Sequence, residues 1–370
     1  MANALQTSEK SAGSAPTPER RAAYVERVDI HQHKREVIAL FERSGKPEFA
    51  SRFDWYYHND GHQPISWILR DCSGAIAGVS SVTPRSLCYG ARSVRAGVAG
   101  NLLIDRQKAG YLGAISLVRA MKSLVTSGDL DVLLGIPNAM SEPIFARLEF
   151  TTVDRWITHA FVHHSGKLLQ ARFGWPGRIA SPLVNLCATV LEKATYHRCL
   201  PTDIRIVDGT ERDVADIPFH DWATPLGRFV TRPSSDYLAE RFLKDPLSRY
   251  GFSILADSSG KACGCIVLRH SKDRSWIADC WVDHGQIDEV TAISQFCRSK
   301  HSTSDMVWIA HLRSASLSNQ LASHGFIRMV PALGGYPNLP LVGFWVAGHP
   351  LAYEFSQARS WGLFTGFNDV

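Results

Sequence analysis

The sequence has no CxxC pair and no cysteine and histidine cluster at zinc-ligand spacing, so no metal site is expected. Its eight cysteines, at 72, 88, 187, 199, 263, 265, 280 and 297, are scattered and read as reduced thiols of a cytoplasmic protein. The Cys263-Gly264-Cys265 triplet falls within a strand pattern and reads as coincidence. An apolar h-region is missing from MANALQTSEKSAGSAPTPER, so no secretory leader is expected there, and residues 1–20 read as a disordered tail. Between Met329 and Tyr353 there is no Asp, Glu, Lys or Arg. Four prolines, at 331, 337, 340 and 350, together with several glycines exclude a spanning helix there and leave a loop followed by the strand LVGFWVAG. A formal charge of +5 over 370 residues is too dilute for a nucleic-acid-binding face, although it permits an anionic ligand. At 45% hydrophobic and 20% charged, the composition is that of a globular protein, and its length points to two domains.

The richest signal runs from Val94 to Phe150. Periodicity and turn chemistry give a strand (VRAGVAGNLLID), a glycine-bearing turn opening a helix (RQKAGYLGAISLVRAM), a strand ending in Pro-Asn (DVLLGIPN) and a short helix (SEPIFARLEF). A glycine turn at a helix start leaves backbone N–H groups free at the positive end of the helix dipole, which suits a phosphate or pyrophosphate.

Around this stretch, Tyr24 to Ser44 shows helical spacing at Val37, Leu40 and Phe41. The aromatics of Phe49 to His58 cap a core or wall a pocket. PISWILRD and AIAGVSSVTPRSLCYG form an antiparallel hairpin, and TTVDRWITHAFVHH is a strand with His159 and His163 on one face. The interval from Gly166 to Asp203 holds Lys167, Arg172, Arg178, Lys193 and Arg198 against Glu192. Ser181-Pro182 starts a helix there, whose stripe of Leu183, Leu186, Cys187, Val190, Leu191 and Ala194 reads as packed on the protein's own core. The alternative is peripheral attachment to an anionic membrane surface. From Asp203 onward the order of strands and helices repeats, which suggests two copies of one fold.

Asn138, Ser141, Ile144, Phe145, Leu148, Glu149 and Phe150, following strand, glycine turn, helix and strand, resemble the core of the GNAT acyltransferases. The segment ending His324-Gly325-Phe326 resembles the same final helix in a second copy. The resemblance implies an α/β (α+β) fold of two GNAT-like domains, each a mixed, mostly antiparallel sheet flanked by helices. It assigns 21–165 to an acyl-CoA-binding domain, 166–202 to a basic helical connector, 203–349 to a degenerate copy and 350–370 to a C-terminal tail. It implies acyl-CoA, acetyl-CoA or longer, as donor, held by Leu103, Ile104, Lys108, Ala109, Gly110, Tyr111, Leu112, Gly113, Ala114, Asn138 and Phe145.

Two places depart from the family's pattern. Leu112 stands where the pyrophosphate turn favours a small residue, unless Gly113 takes that place. Phe145 stands where many members carry the tyrosine that protonates the leaving thiolate, a role left to Ser141 or Tyr111, or to no residue, since a thiolate is a tolerable leaving group. His159 and Asp105 are the candidate bases, with solvent relay as the alternative. Trp55, Tyr56 and Tyr57 are expected to line the acceptor side. Asp288 and Glu289 stand where a second pyrophosphate would sit and would repel it. The implied function is N-acyl transfer from acyl-CoA to a primary amine, with an amino sugar or other envelope precursor suggested by analogy. The alternatives are a transferase of the same fold using acyl carrier protein or aminoacyl-tRNA, with the basic connector docking an acidic carrier, and a non-catalytic binding protein on a decayed fold.

Overall fold

A computed structural model describes residues 23–57, 63–176, 179–183, 185–186, 190, 204–231, 233–271, 274–299, 305–313, 316–330 and 338–362. The expected tail over 1–20, residues 191–203, and Cys187, Leu191 and Ala194 of the expected apolar stripe lie outside these residues. The N-terminal half supplies β1 (Tyr24–Val28), β2 (Ile65–Arg70), β3 (Ile76–Tyr89), β4 (Arg92–Ile104), β5 (Val132–Gly135) and β6 (Thr151–Val162). The C-terminal half supplies β7 (Arg205–Gly209), β8 (Phe229–Thr231), β9 (Arg249–Ala256), β10 (Ala262–Ser271), β11 (Arg274–Val282), β12 (Met306–Leu312), β13 (Ile327–Met329) and β14 (Pro340–Phe344). The helices that position the site are α1 (Lys34–Arg43), α2 (Phe49–Tyr57), α3 (Gly110–Thr126) and α4 (Glu142–Arg147).

The first element is shorter as a helix than Tyr24 to Ser44 implied. Residues 24–28 form an edge strand paired antiparallel with β2, held by an Arg70 Nε to Glu26 Oε1 contact of 2.6 Å. The helix begins only after Asp29 accepts a hydrogen bond from His31 N at 3.1 Å. The β-branched Val25 and Val28 favour the strand over a continued helix.

The strands form one continuous sheet in the order β1-β2-β3-β4-β5-β14-β6-β12-β11-β10-β9-β7, with β13 against β6 and β8 against β3. Two parallel pairings recur at equivalent places. Ala96–Val98 pair with Val132–Leu134, and Ser275–Ile277 pair with Val307–Ile309. Each pair is followed by the same sequence of helix and strand, which is the internal repetition expected from the sequence.

The two copies exchange their last strands. β6, from the N-terminal half, pairs with β12 along Trp156 to Val162. β14, from the C-terminal half, lies between β5 and the start of β6, with Val342 opposite Gly135 on one side and opposite Thr152 on the other. The division into 21–165 and 203–349 therefore cuts across the strand pairing. Residues 350–362, expected as a tail, also belong to the body: Leu351, Phe355 and Trp361 are buried in the core that also contains Val98, Leu134 and Trp156. Burying a side chain of this size contributes roughly 1.5–3 kcal/mol, enough to hold the segment down.

α3 packs on one face of the N-terminal sheet because Leu117, Val118, Met121, Leu124 and Val125 recur at helical spacing and are all buried. α1 and α2 cover the other face with Val37, Leu40, Phe53 and Tyr57.

Candidate functional site

β4 and β5 run together only as far as the Val98–Leu134 pair. Beyond it β4 continues to Ile104 while β5 ends at Gly135. Among the described residues the edge of β4 that faced β5 then has no strand partner, and alternate backbone N–H groups along it are open to the groove. A bulge sharpens the parting. Two residues of β4, Asn101 and Leu102, stand against Ser80 alone, with Asn101 at φ +50°.

α2 braces this bulge. The Tyr56 hydroxyl lies 3.1 Å from Ser81 Oγ, and Asn101 Nδ2 donates to the Tyr57 hydroxyl at 3.4 Å. Burial pushes the Tyr57 phenol up, so it remains a neutral hydroxyl. A Cβ on Gly100 would lie 2.5 Å from the Tyr56 oxygen, so only glycine fits there.

At the end of β4 the chain turns into α3. Asp105 organises the turn, with its carbonyl accepting from Lys108 N at 3.2 Å and Ala109 N at 3.0 Å and its Oδ1 accepting from Gln107 N at 3.1 Å. Gly110 enters the helix at φ +56° with open space where a side chain would stand. The first helical bond belongs to Gly113 N, to Ala109 O at 3.2 Å. By helix geometry the N–H groups of Gly110, Tyr111 and Leu112 are left without intrahelical acceptors, at the positive end of the dipole.

The parted strands, this turn and the α1–α2 connection enclose an open groove of about 1070 Å³. Of the residues singled out in the sequence, Leu103, Ile104, Asp105, Gly110, Tyr111, Ala114, Asn138 and Ser141 line it. Asn138 Oδ1 accepts from Met140 N at 3.0 Å and Ser141 N at 3.1 Å, and Ser141 Oγ accepts from Asn138 N at 3.0 Å. This reciprocal pair fixes the far wall ahead of α4.

The other candidates lie elsewhere. Leu112 is exposed and does not line the groove, so it does not crowd a phosphate there. Gly113 is a packing residue: a Cβ would meet Leu69 Cδ2 at 2.6 Å. Lys108 reaches Asp71 at 3.6 Å, and Ala109 belongs to the turn beneath the helix. Phe145 is buried edge-on against Phe150, 4.9 Å between ring centroids, and faces the core. Tyr56 and Tyr57 support the bulge, and the Trp55 ring is in contact with the guanidinium groups of Arg52 and Arg241, at 4.7 and 5.2 Å from its centroid. None of the three aromatics lines the groove.

His159 also lies outside the groove. Its Nδ1 donates to His311 Nε2 at 2.9 Å, and His311 Nδ1 donates to the Leu312 carbonyl at 2.8 Å. Burial pushes His159 down to about 4, with the nearby Arg328 charge acting in the same direction. Burial also pushes His311 down, to about 3, so the pair is neutral at physiological pH.

Gln107 and Ile144 of the matched pattern also line the groove, and sequence reasoning missed Arg43, Ser44 and Lys46 on the α1–α2 connection, and Leu102, Arg106 and Met140. Arg106 Nη2 contacts Met140 Sδ, joining turn to far wall. The three cations Arg43, Lys46 and Arg106, against the single carboxylate of Asp105, make the described lining electropositive.

The equivalent place in the C-terminal half is closed. Glu289, at the start of the helix Glu289–Ser299, pairs with Arg228 at 2.8 Å and His284 at 3.4 Å. Burial alone would raise its pKa, but the His284 hydrogen bond and the Arg228 charge bring it below its ordinary value. Asp288 accepts from Thr291 N at 2.9 Å and Thr291 Oγ1 at 2.7 Å. The protein's own carboxylates thus occupy the helix start, and the cavity beside β11 there measures about 40 Å³. Among the described residues there is no group of three or more His, Cys, Asp or Glu arranged to hold a metal ion.

No family model and no curated protein matches the sequence. Solved structures do match the fold. A probable N-acyltransferase from Enterococcus faecalis superposes with a TM-score of 0.60 at 9% identity, over 88% of this chain and 73% of that one. A GCN5-related N-acetyltransferase from Anabaena variabilis gives 0.58 at 10% identity, over 87% and 72%. The Saccharomyces cerevisiae N-myristoyltransferase, solved with myristoyl-CoA, gives 0.50 at 12% identity, over 91% and 86%. With the repeated parallel pairs and the parting of β4 from β5, these likenesses show that the chain has the fold of the GNAT N-acetyltransferases, carried twice with the last strands exchanged.

Proposed function

We propose that the protein is an N-acyltransferase that binds one acyl-CoA in the N-terminal groove and passes the acyl group to an amine. The observation that carries this reading is the coincidence of the parted edge of β4, the unsatisfied start of α3 and the electropositive lining in one groove. The pyrophosphate is assigned to the N–H groups of Gly110 and Tyr111, where the dipole and the positive φ of Gly110 favour an anion. The pantetheine arm extends along β4 toward Leu103 and Ile104, and whichever of these two turns its N–H to the open edge supplies the donor for the thioester carbonyl as negative charge develops on it.

The amine must lose a proton before or during attack, and the leaving thiolate must be tolerated. Asp105 is the only carboxylate among the described lining residues and is assigned as the base. It accepts from Gln107 N, which fixes its orientation toward the turn. Since Phe145 offers no hydroxyl and faces the core, the thiolate leaves unassisted or takes its proton from Ser141 or Tyr111, both of which line the groove. None of the described lining residues singles out an amino sugar among amines, so the acceptor class is stated as a primary amine.

The experiment is a calorimetric titration with acetyl-CoA and with longer acyl-CoA, followed by mass spectrometry of an amine panel. Saturable binding that Gly110→Trp weakens supports the reading, and absence of binding to every acyl-CoA removes it.

A further inference from the structure

The interval after β6 carries a helix whose polar side meets the protein and whose apolar side meets solvent. The described residues 175–176, 179–183, 185–186 and 190 are all helical, and Trp175, Ile179, Leu183, Leu186 and Val190 follow one another at spacings of four, four, three and four. At the pitch of an α-helix they fall within an arc of about 80°. All five are exposed, Trp175 at 73% and Leu183 at 66%. The expectation that Leu183, Leu186 and Val190 pack on a core is therefore overturned.

The opposite side of the same helix is fastened to the body by polar groups. Asn185 Oδ1 accepts from Ser165 N and from Ser165 Oγ, each at 2.8 Å, while four residues back in the same segment Ser181 Oγ accepts from Asn185 Nδ2 at 3.5 Å. Ser165 and Ser181 are buried. This reverses the usual arrangement, in which the apolar stripe of a surface helix faces the core. The anchoring hydrogen bonds fix which side is turned outward.

Charge identifies what the outward side meets. The interval 166–202 carries Lys167, Arg172, Arg178, Lys193 and Arg198 against Glu192 alone, so four of the chain's five formal net charges fall in one tenth of its length. An apolar stripe ending in a tryptophan, within a cationic interval, is complementary to an anionic lipid surface: the apolar side chains enter the headgroup and acyl boundary while the cations meet the headgroups. No helix among the described residues is long and apolar enough to cross a membrane.

We propose that the exposed apolar stripe of Trp175, Ile179, Leu183, Leu186 and Val190 docks the protein on the surface of an anionic membrane. This inference stands independently of the acyl-CoA reading. The test is flotation of the full chain with phosphatidylcholine vesicles, with and without about 30 mol% phosphatidylglycerol, alongside sedimentation velocity without lipid. The expected result is co-flotation that is at least about tenfold stronger with the anionic lipid and falls in about 0.5 M salt. The double substitution Leu183→Asp with Leu186→Asp should reduce it by a further factor of about ten, while thermal stability and acyl-CoA titration stay unchanged because both side chains are exposed. Failure of the wild-type chain to float, or equal flotation of the double variant, overturns the proposal. So does a lipid-independent dimer that the double variant dissolves, which would assign the stripe to a second copy of the chain.

Discussion

Gly110 is the residue on which the groove depends most. It sits at φ +56°, a conformation costing an L-residue about 1–2 kcal/mol, and its missing Cβ leaves the helix start open. Gly110→Trp is expected to lower acyl-CoA affinity at least about tenfold while shifting the unfolding midpoint only by the strain, measured by calorimetry and by urea denaturation. Asp105 and His159, equal candidates on chemistry alone, are separated by position. Asp105→Asn should lower kcat by about 10²-fold or more, whereas His159→Gln should leave turnover per folded molecule unchanged. The histidine pair acts instead on stability. Both folded-state values lie below the ordinary 6.5, at about 4 for His159 and about 3 for His311, so the unfolded chain binds protons first as pH falls. Their stabilising contribution is complete above pH 6.5 and is lost on acidification toward pH 4, at up to about 1.4 kcal/mol per pH unit for each histidine. Relative to wild type, His159→Gln should lose less stability across that window, as read from urea midpoints at a series of pH values.

At the level of elements, the N-terminal α3 and its C-terminal counterpart, Glu289–Ser299, show how one architecture is opened or closed at the same point. α3 begins on a glycine and leaves its N–H groups to a ligand. Its counterpart begins on Glu289, already paired with Arg228 and His284. Removing that carboxylate leaves a half-buried guanidinium unpaired, so Glu289→Ala is expected to cost about 3–5 kcal/mol without creating a second acyl-CoA site, measured by denaturation and by binding stoichiometry. This asymmetry was readable in advance, because Asp288 and Glu289 are charges in the wrong place for a phosphate. The register from Asn138 to Phe150 was readable too, since helical and strand periodicities there change at Pro137 and at Phe150. What the sequence could not convey was direction. Tyr56 and Tyr57 are equally compatible with a pocket wall and with the support of a bulge, and only the contacts to Ser81 and Asn101 distinguish them. Arg43 and Lys46 gave no local signal, because a cation on a connection acquires meaning only when the fold brings that connection over the groove.

At the scale of the molecule, the exchange of β6 and β14 joins the two halves into one sheet. Local periodicity identifies each strand but not its partner across more than 150 residues, so the exchange was not legible from the sequence. Its consequence is cooperative unfolding: if β14 is absent, β5 loses one of its two partner strands and the start of β6 loses its pairing. A chain ending before Pro340 is expected to lose the native near-ultraviolet circular dichroism of the N-terminal half as well as that of the C-terminal half. The same joined architecture carries one open groove and one closed counterpart, so the central claim concerns a number as well as an affinity. Calorimetric titration of the full chain with acyl-CoA tests it most directly. The account predicts saturation at one acyl-CoA per chain, with affinity lost in Gly110→Trp and retained in Glu289→Gln. Two sites per chain, or binding indifferent to Gly110→Trp, would contradict it.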